Sequence, residues 1–453
     1  ATTKRAKTEM AGRMRVKLAP GASKHHHIRP HHALLAEAPK LNTEHFKIFG
    51  LCWAGWVFDI YDLILFTFLI RPIQLEFHLT KLELSFVLGA SLAASAVGGV
   101  VFGALADLYG RRRVLEWTIV TYSLGTLLSG MAGGIVTLLV YRIVTGLGVG
   151  GEWATGHTYI GETFPPRYRG RYASLMQTGG AFGALMAAGM GGFLAPRLGW
   201  RACFLISAAP AVLSSFVRRA LPESDVWLQR HPEARKSRAF ILPHSAAIFA
   251  PLRDLLDGPH RYDFIRSIVL CTLDMSAFWI AFSWLPTYFE EQRKMSIGSS
   301  AETVAIAYLG LLIGQVIFGY VADAIGRRPS FSVYSLIMAG GLLAITLFWG
   351  DVGGANALIE VAMFVTGFGA GMFGGYGPLF TELFPTSVRN TAMGGAYNIA
   401  RGTQFFTPVL VALIAGSWGL SGGIALASAF AVATGIYVWT FPASGNQMAT
   451  EIE

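Results

Sequence analysis

Twelve runs of roughly twenty mostly apolar residues divide the chain, and no other feature constrains its fold as tightly. A hydrocarbon layer about 30 Å thick is crossed by about 20 helical residues, because every backbone N–H and C=O must be satisfied inside the segment. The runs fall near 47–72, 84–107, 114–133, 135–162, 171–195 and 202–220, then near 264–289, 302–323, 330–349, 354–380, 391–416 and 420–441. Only 14% of the 453 residues are charged and 53% are hydrophobic, too little polar surface for a compact water-soluble shape of this size. An all-α, multi-pass integral membrane protein is the expected class. Cys52, Cys203 and Cys271 lie inside apolar runs, so neither a disulfide framework nor a redox motif is implied.

The formal net charge is +9, and its position matters more than its size. Ten basic residues between Lys4 and Lys47 stand against Glu9, Glu37 and Glu44, which places seven of the nine charges at one end. Residues 1–46 read as a disordered basic cytoplasmic tail beside anionic lipid, not as a nucleic-acid surface. His25, His26, His27, His31 and His32 lie in it, and a short histidine tract alone does not define a metal site. Residues 222–263 hold Arg230, Arg235, Lys236, Arg238 and five prolines, and read as a cytoplasmic loop between two six-span bundles, 47–221 and 264–442. Residues 443–453 read as a second cytoplasmic tail. Basic residues prefer cytoplasmic loops, and Arg111 to Arg113, Arg167, Arg169, Arg171, Arg327, Arg328 and Arg389 all fall on the side of the basic tail. Both termini are expected in the cytoplasm, with the chain in the plasma (inner) membrane.

The two bundles share motifs. Gly103, Asp107, Gly110, Arg111 and Arg112 after span 2 recur as Gly319, Asp323, Gly326, Arg327 and Arg328 after span 8, an offset of 216 residues (107 to 323). Glu162 to Arg171 and Glu382 to Arg389 share a Glu-x-Phe-Pro start at the ends of spans 4 and 10, an offset of 220 (162 to 382). Two motif pairs at nearly one offset indicate two homologous six-helix halves. The duplicated Gly-x-x-x-Asp-x-x-Gly-Arg-Arg loop, with Arg142, Gly146, Gly148 and Gly150 in span 4, resembles the major facilitator superfamily over about 47–442. Within it, Asp59-Ile-Tyr-Asp62 and Gly150-Gly-Glu152-Trp153 resemble the sialate and monocarboxylate:proton symporters, and the Asp-x-x-Asp pattern also resembles the aromatic acid:proton symporters. The resemblance implies twelve helices in two pseudo-symmetric bundles and transport by alternating access.

In the loop motif, Gly103 is expected to allow close helix packing, Asp107 to cap or pair at a helix end, and Arg111 and Arg112 to bridge to Glu162, with Arg171 extending the network. Asp323, Arg327, Arg328, Glu382 and Arg389 are expected to repeat this after Gly326. The expected role is a gate closing the cytoplasmic side in one state; the alternative is a static set of interfacial ion pairs.

Charges at bilayer depth are costly and usually face a cavity or a partner. Span 1 holds Asp59 and Asp62 on adjacent positions of one face, and span 4 holds Arg142 and Glu152. Counting about 1.5 Å per residue puts Asp62 about 15 Å and Arg142 about 10 Å below the outer ends of their spans, within a turn of each other. An aspartate beside Arg⁺ stays ionised and one whose arginine is drawn away protonates, so Asp62 with Arg142 is the expected proton site, with Asp59 and Glu152 in the same network. A permanent buried salt bridge is the alternative. Span 7 adds Asp274; span 11 adds Asn398, Arg401 and Gln404. Arg401 is expected to clamp a substrate carboxylate, oriented by Gln177, Asn398 and Gln404, with Asp274 and Tyr61 in the site; a structural Arg401–Asp274 pair is the alternative.

The expected function is proton-coupled symport of an organic carboxylate: a monocarboxylate, an aromatic acid or a sugar acid. A drug:proton antiporter is less suited, because the glycine-rich run 179–192 of span 5 has no proline before Pro196. A sugar porter shares the span 4 motif and the Pro222-Glu223-Ser224 ending of span 6, but neutral sugars give Arg401 no work. A transceptor would need a larger cytoplasmic domain. No nucleotide loop, metal-spaced cluster or Ser-His-Asp set points to an enzyme. The expected partners are a small organic anion, protons and the lipid bilayer, without nucleic acid, cofactor or metal, and a monomer is expected to suffice.

Overall fold

The computed structural model describes residues 35, 38, 40–219, 221–230, 253, 255–347, 356–384 and 389–442. Most of the expected basic tail, much of the expected inter-bundle loop and residues 443–453 lie outside them. All regular structure among the described residues is helical. The first helix, α1 (Thr43–Phe77), starts four residues ahead of the apolar run because Asn42 caps it. The Asn42 side chain accepts from the backbone N–H groups of Glu44 and His45 at 3.1 and 3.2 Å, satisfying donors that the first turn leaves open.

The remaining crossings are α2 (Lys81–Tyr109), α3 (Arg111–Ser129), α4 (Ile135–Thr163), α5 (166–198), α6 (200–219), α7 (Arg261–Glu291), α8 (Ile297–Ile325), α9 (Arg327–Leu347), α10 (356–383), α11 (389–418) and α12 (420–437). Among the described residues nine helical stretches are individually long and apolar enough to span a bilayer. Two of them, Leu175–Ala208 and Thr391–Thr440, each hold two crossings, because the backbone turns at Gly199 (φ +80°) and Gly419 (φ +69°). Helix α3 completes the twelve; Arg111, Arg112, Arg113 and Glu116 keep it off a purely apolar count. A short helix, Asp225–Arg230, follows α6. Helix α5 passes through a π turn at Met190–Leu194, and α10 through a 3₁₀ turn at Gly371–Gly375.

The duplication is written into the backbone. Among the described residues the left-handed positions form three pairs: His78 with Lys294, Gly110 with Gly326, and Gly199 with Gly419. Their separations are 216, 216 and 220 residues, matching the motif offsets (78 to 294, 110 to 326, 199 to 419). Each pair ends or joins equivalent helices, so the chain reverses direction by the same device in both halves.

Small residues let the helices of each bundle approach. A Cβ on Gly146 or Gly150 of α4 would overlap the carbonyl oxygens of Ser91 and Ser95 on α2. Gly367 and Gly371 of α10 lie against Ala307 and Gly314 of α8 in the same way. Without a strong hydrophobic drive between helices in lipid, such backbone contact is what holds them. Gly103 departs from expectation: a Cβ there meets no described atom within 4 Å, and neither does one on Gly319. These two motif glycines face open space, not a helix interface.

The halves meet along α2 with α11 and α5 with α8. Gly89 faces the Phe405 carbonyl, Gly99 faces the Asn398 side chain, and Ser85 donates to the Pro408 carbonyl at 3.1 Å. Gly192 on α5 lies against Ala301 on α8. At the end opposite the duplicated loops, Glu291 of α7 takes Arg71 at 2.9 Å and Lys81 at 2.6 Å, fastening the halves there.

Gly150→Ala is expected to lower the thermal unfolding midpoint in detergent by several degrees, since overpacking a fitted contact costs about 1–3 kcal/mol. Gly103→Ala is expected to leave the midpoint unchanged. Equal midpoints for both variants, read by tryptophan fluorescence, would contradict this packing.

Candidate functional site

A cavity with about 620 Å³ of empty space, its open mouth included, lies between the halves. Its wall is formed by Trp56, Ile60 and Ile64 of α1, Gln177, Gly180, Ala181 and Ala184 of α5, Met275, Phe278 and Trp279 of α7, Leu311 and Gln315 of α8, Phe373 of α10, and Tyr397 and Arg401 of α11. One permanent cation, Arg401, lies in this mostly aromatic and aliphatic wall, with Gln177 and Gln315 as its other polar, non-aromatic side chains. Arg401 is 2% exposed, its Cζ stands 5.6 Å from the Trp56 ring and 5.9 Å from the Tyr397 ring, and its Nη1 has no acceptor among the described residues. Asp59 is close enough for its charge to act on Arg401. Two further buried polar atoms in the wall lack described partners, the Trp56 Nε1 donor and the Gln315 Oε1 acceptor. Trp153 stacks on Tyr397 with centroids 4.1 Å apart and donates to Gln177 Oε1 at 3.1 Å, so one aromatic pair bridges α4 and α11 beside the cavity.

Of the residues expected at the substrate, Arg401 and Gln177 line the cavity. The other four are engaged elsewhere. Tyr61 turns into the first bundle, where its hydroxyl shares a 2.6 Å bond with Ser207 of α6, because the adjacent Ile60 occupies the cavity face of α1. Asn398 packs on Gly99, and its Nδ2 donates to the Gly394 carbonyl at 3.0 Å. Gln404 ties α11 to α7, accepting from Ser276 at 3.2 Å and donating to the Ala400 carbonyl at 2.8 Å. Asp274 accepts from the Tyr376 hydroxyl at 2.5 Å and makes no ion pair with Arg401. Gln315 is a cavity group absent from the expected set; a lone glutamine in the middle of the apolar α8 is the signal that marks it.

The expected proton-site residues lie behind this wall, inside the first bundle. Asp62 Oδ2 pairs with Arg142 Nη1 at 2.7 Å, and Oδ1 accepts from Thr126 of α3 at 2.6 Å. Both partners are buried, with the Arg142 Cζ 5.2 Å from the Phe66 ring and 5.7 Å from the Phe204 ring. Asp59 is buried one turn from Asp62. Glu152 is about 15 Å along α4 from Arg142 and accepts from Thr118 of α3 at 2.8 Å, so it belongs to the α3–α4 interface.

At the duplicated loop, Arg111 grips Glu162 through Nε at 3.1 Å and Nη2 at 2.8 Å, and Asp107 through Nη1 at 2.6 Å. Arg112 donates instead to the Leu221 carbonyl at 2.8 Å. Arg171 is exposed and makes no ion pair with a described residue. Gly110, at φ +95°, gives α3 no side-chain cap, and Glu223 supplies one from the segment after α6. Glu223 Oε1 accepts from the N–H groups of Arg111 and Arg112 at 2.8 and 3.2 Å, and a Cβ on Gly110 would overlap its carboxylate. Burial pushes the Glu223 carboxyl above the usual carboxylate range, outweighing those donors. Ser224 ties the cluster together with a 2.7 Å bond to Glu162. In the second half Asp323 pairs with Arg327 at 3.0 Å, and Arg328 reaches the Phe441 carbonyl as Arg112 reaches Leu221. The side chains of Glu382 and Arg389 lie outside the described ones. The bonds described here stay within their own half.

The fold and the cavity between its halves define a membrane carrier. The sequence profile of the Major Facilitator Superfamily matches residues 51–307, more than half the chain, and the chain belongs to that family. The sialic acid transporter NanX of Escherichia coli K12 is 29% identical over 382 residues, 84% of this chain and 90% of that protein. The cis,cis-muconate transport protein of Acinetobacter baylyi is 27% identical over 400 residues, 86% of this chain and 93% of that protein. A solved structure of the xylose transporter XylE from E. coli shares the fold with a TM-score of 0.74 at 20% identity, covering 89% of this chain and 99% of that one. The protein is an integral multi-pass membrane transporter and not an enzyme.

The Asp62–Arg142 pair makes a direct stability prediction. Asp62→Asn leaves a buried arginine without its counter-charge and is expected to cost about 3–5 kcal/mol, while Asp62→Asn with Arg142→Gln costs much less than the two single changes summed. Additive losses in reversible unfolding would show that the pair is not coupled.

Proposed function

We propose that this transporter carries an organic carboxylate together with protons. The observation that carries the reading is Arg401: a permanent cation, buried in the cavity wall, with one N–H edge that no described acceptor occupies. A carboxylate there gains a charge-assisted bond in a dry site, and the Trp56 N–H stands ready as a second donor. The rings of Trp56, Phe278 and Tyr397 suit a flat or alkyl body attached to that acid. The names of the sialic acid and muconate relatives agree with an acidic cargo. A neutral sugar would leave the guanidinium unanswered.

Asp62 is the proton carrier of this reading, paired with Arg142 at 2.7 Å in the conformation observed. Asp59, in the field of Arg401, competes with the substrate for that cation. Glu152 supports the network from the α3–α4 interface. The loop clusters around Arg111 and Arg327 act as gates on the cytoplasmic side. In the conformation observed, Glu291 with Arg71 and Lys81 closes the other side, and this clasp must open when the loop side shuts. The protein works as a monomer in the plasma membrane, with both termini cytoplasmic.

In proteoliposomes, Arg401→Lys is expected to reduce carboxylate exchange at least 100-fold with normal insertion, because an ammonium cannot reproduce the planar contact. Unchanged exchange would remove Arg401 from the substrate site. Glu291→Gln is expected to shift the population about 5–10-fold toward the state open at that end, since each exposed pair is worth up to about 1 kcal/mol. Spin-label distances across α1 and α7 read that shift, and identical distributions would contradict the clasp.

A further inference from the structure

Outside the Asp62–Arg142 pair, a second carboxyl is buried at mid-membrane depth in the other half. Asp274 of α7 is wholly inaccessible. Its Oδ2 accepts from the Tyr376 hydroxyl at 2.5 Å, and its Oδ1 has no hydrogen-bond partner among the described residues. No described arginine, lysine or histidine forms an ion pair with it. The ionisable groups that face it are Cys271 on its own helix, Tyr376 on α10, and Tyr397 on α11, which also lies in the field of Arg401. The stretch 406–437, also packed on α7, carries no ionisable side chain before Tyr437 at its end.

An anion in such a place has lost its water and has one phenol in exchange, whereas a neutral carboxylic acid needs no counter-charge. Access is near at hand. Met275 and Phe278, neighbours of Asp274 on α7, line the cavity, and so does Phe373 in the 3₁₀ turn just before Tyr376. The phenol is thus placed by the irregular turn of α10, and the carboxyl lies directly behind the cavity wall.

We propose that Asp274 is a second proton-carrying group of the protein, lodged in the second bundle and separate from Asp62. It binds one proton at Oδ1, with Oδ2 held by Tyr376, and releases it when movement of α7 against α10 admits water from the cavity. This goes beyond the carboxylate reading, and the proton site does not depend on it.

Infrared difference spectra of the full chain in liposomes, recorded over a pH titration without any substrate, test the site directly. The expected result is a carboxylic-acid C=O band that changes with pH, is lost in Asp274→Asn, persists in Asp62→Asn, and returns in Asp274→Glu. Tyr376→Phe is expected to shift the frequency of that band, because the carboxyl loses its donor. A spectrum unchanged by Asp274→Asn would overturn the proposal, as would an Asp274 ionised throughout the folded pH range. In a transport arm, Asp274→Asn is expected to lower the number of protons carried per labelled benzoate, and an unchanged ratio would confine Asp274 to a structural role. If benzoate is not transported at all, benzoate is excluded as the cargo and the infrared result alone decides the proton site.

Discussion

A guanidinium taken out of water has to be answered by negative charge or by hydrogen-bond acceptors, and this fold answers the buried charges of Arg142 and Arg401 in different ways. Arg142 meets Asp62 at 2.7 Å inside the first bundle, with Thr126 completing the carboxylate. Arg401 is held between the rings of Trp56 and Tyr397, feels Asp59, and keeps its Nη1 without an acceptor among the described residues. Both are expensive to bury. The charge of Arg142 is answered by a direct ion pair, though its Nε and Nη2 find no acceptor among the described residues, whereas Arg401 feels Asp59 without a direct ion pair, which leaves room for an anion from outside. The close helix contacts at Gly146, Gly150, Gly367 and Gly371 make the two bundles firm enough to hold such charges in place.

The duplication sharpens that contrast. Counting 216 residues from α1 to α7, Asp59 and Asp62 correspond to Met275 and Phe278, both in the cavity wall. Counting 220 from α5 to α11, Gln177 and Ala181 correspond to Tyr397 and Arg401, all four in that wall. On α5 and α11 the shared backbone places equivalent positions around one cavity, while on α1 and α7 the acidic positions of one half sit behind the wall that their counterparts line, and the charges differ between halves. Symmetry therefore belongs to the scaffold, and its breaking to the site. The same holds at the loops: Arg112 and Arg328 both reach the carbonyl after the last helix of their bundle, but Glu223 has Ala443 as its counterpart in sequence.

Much of the scaffold is legible in the sequence because the bilayer forces it. Length and apolarity set twelve crossings, and the repeated motifs set the two halves. Depth counting also brings Asp62 to Arg142, since rise per residue is fixed along a helix. Rotation about each helix axis is not fixed in that way. Ile60 faces the cavity while Tyr61 and Asp62, one and two residues on, turn inward, and only packing decides this. Gln404 and Asn398 look like substrate groups in the sequence but serve helix contacts. The Glu223 cap joins residues 112 positions apart (111 to 223), with no periodic signal to reveal it.

The central claim is that an anion at Arg401 and protons on buried carboxylates move together. The most direct test is accumulation of labelled carboxylates by the reconstituted protein under an imposed inward proton gradient, with a protonophore as control. The account predicts uphill accumulation of at least one acid that collapses when the protonophore is added. Gradient-independent equilibration of the acid, or transport of a neutral sugar in its place, would contradict it.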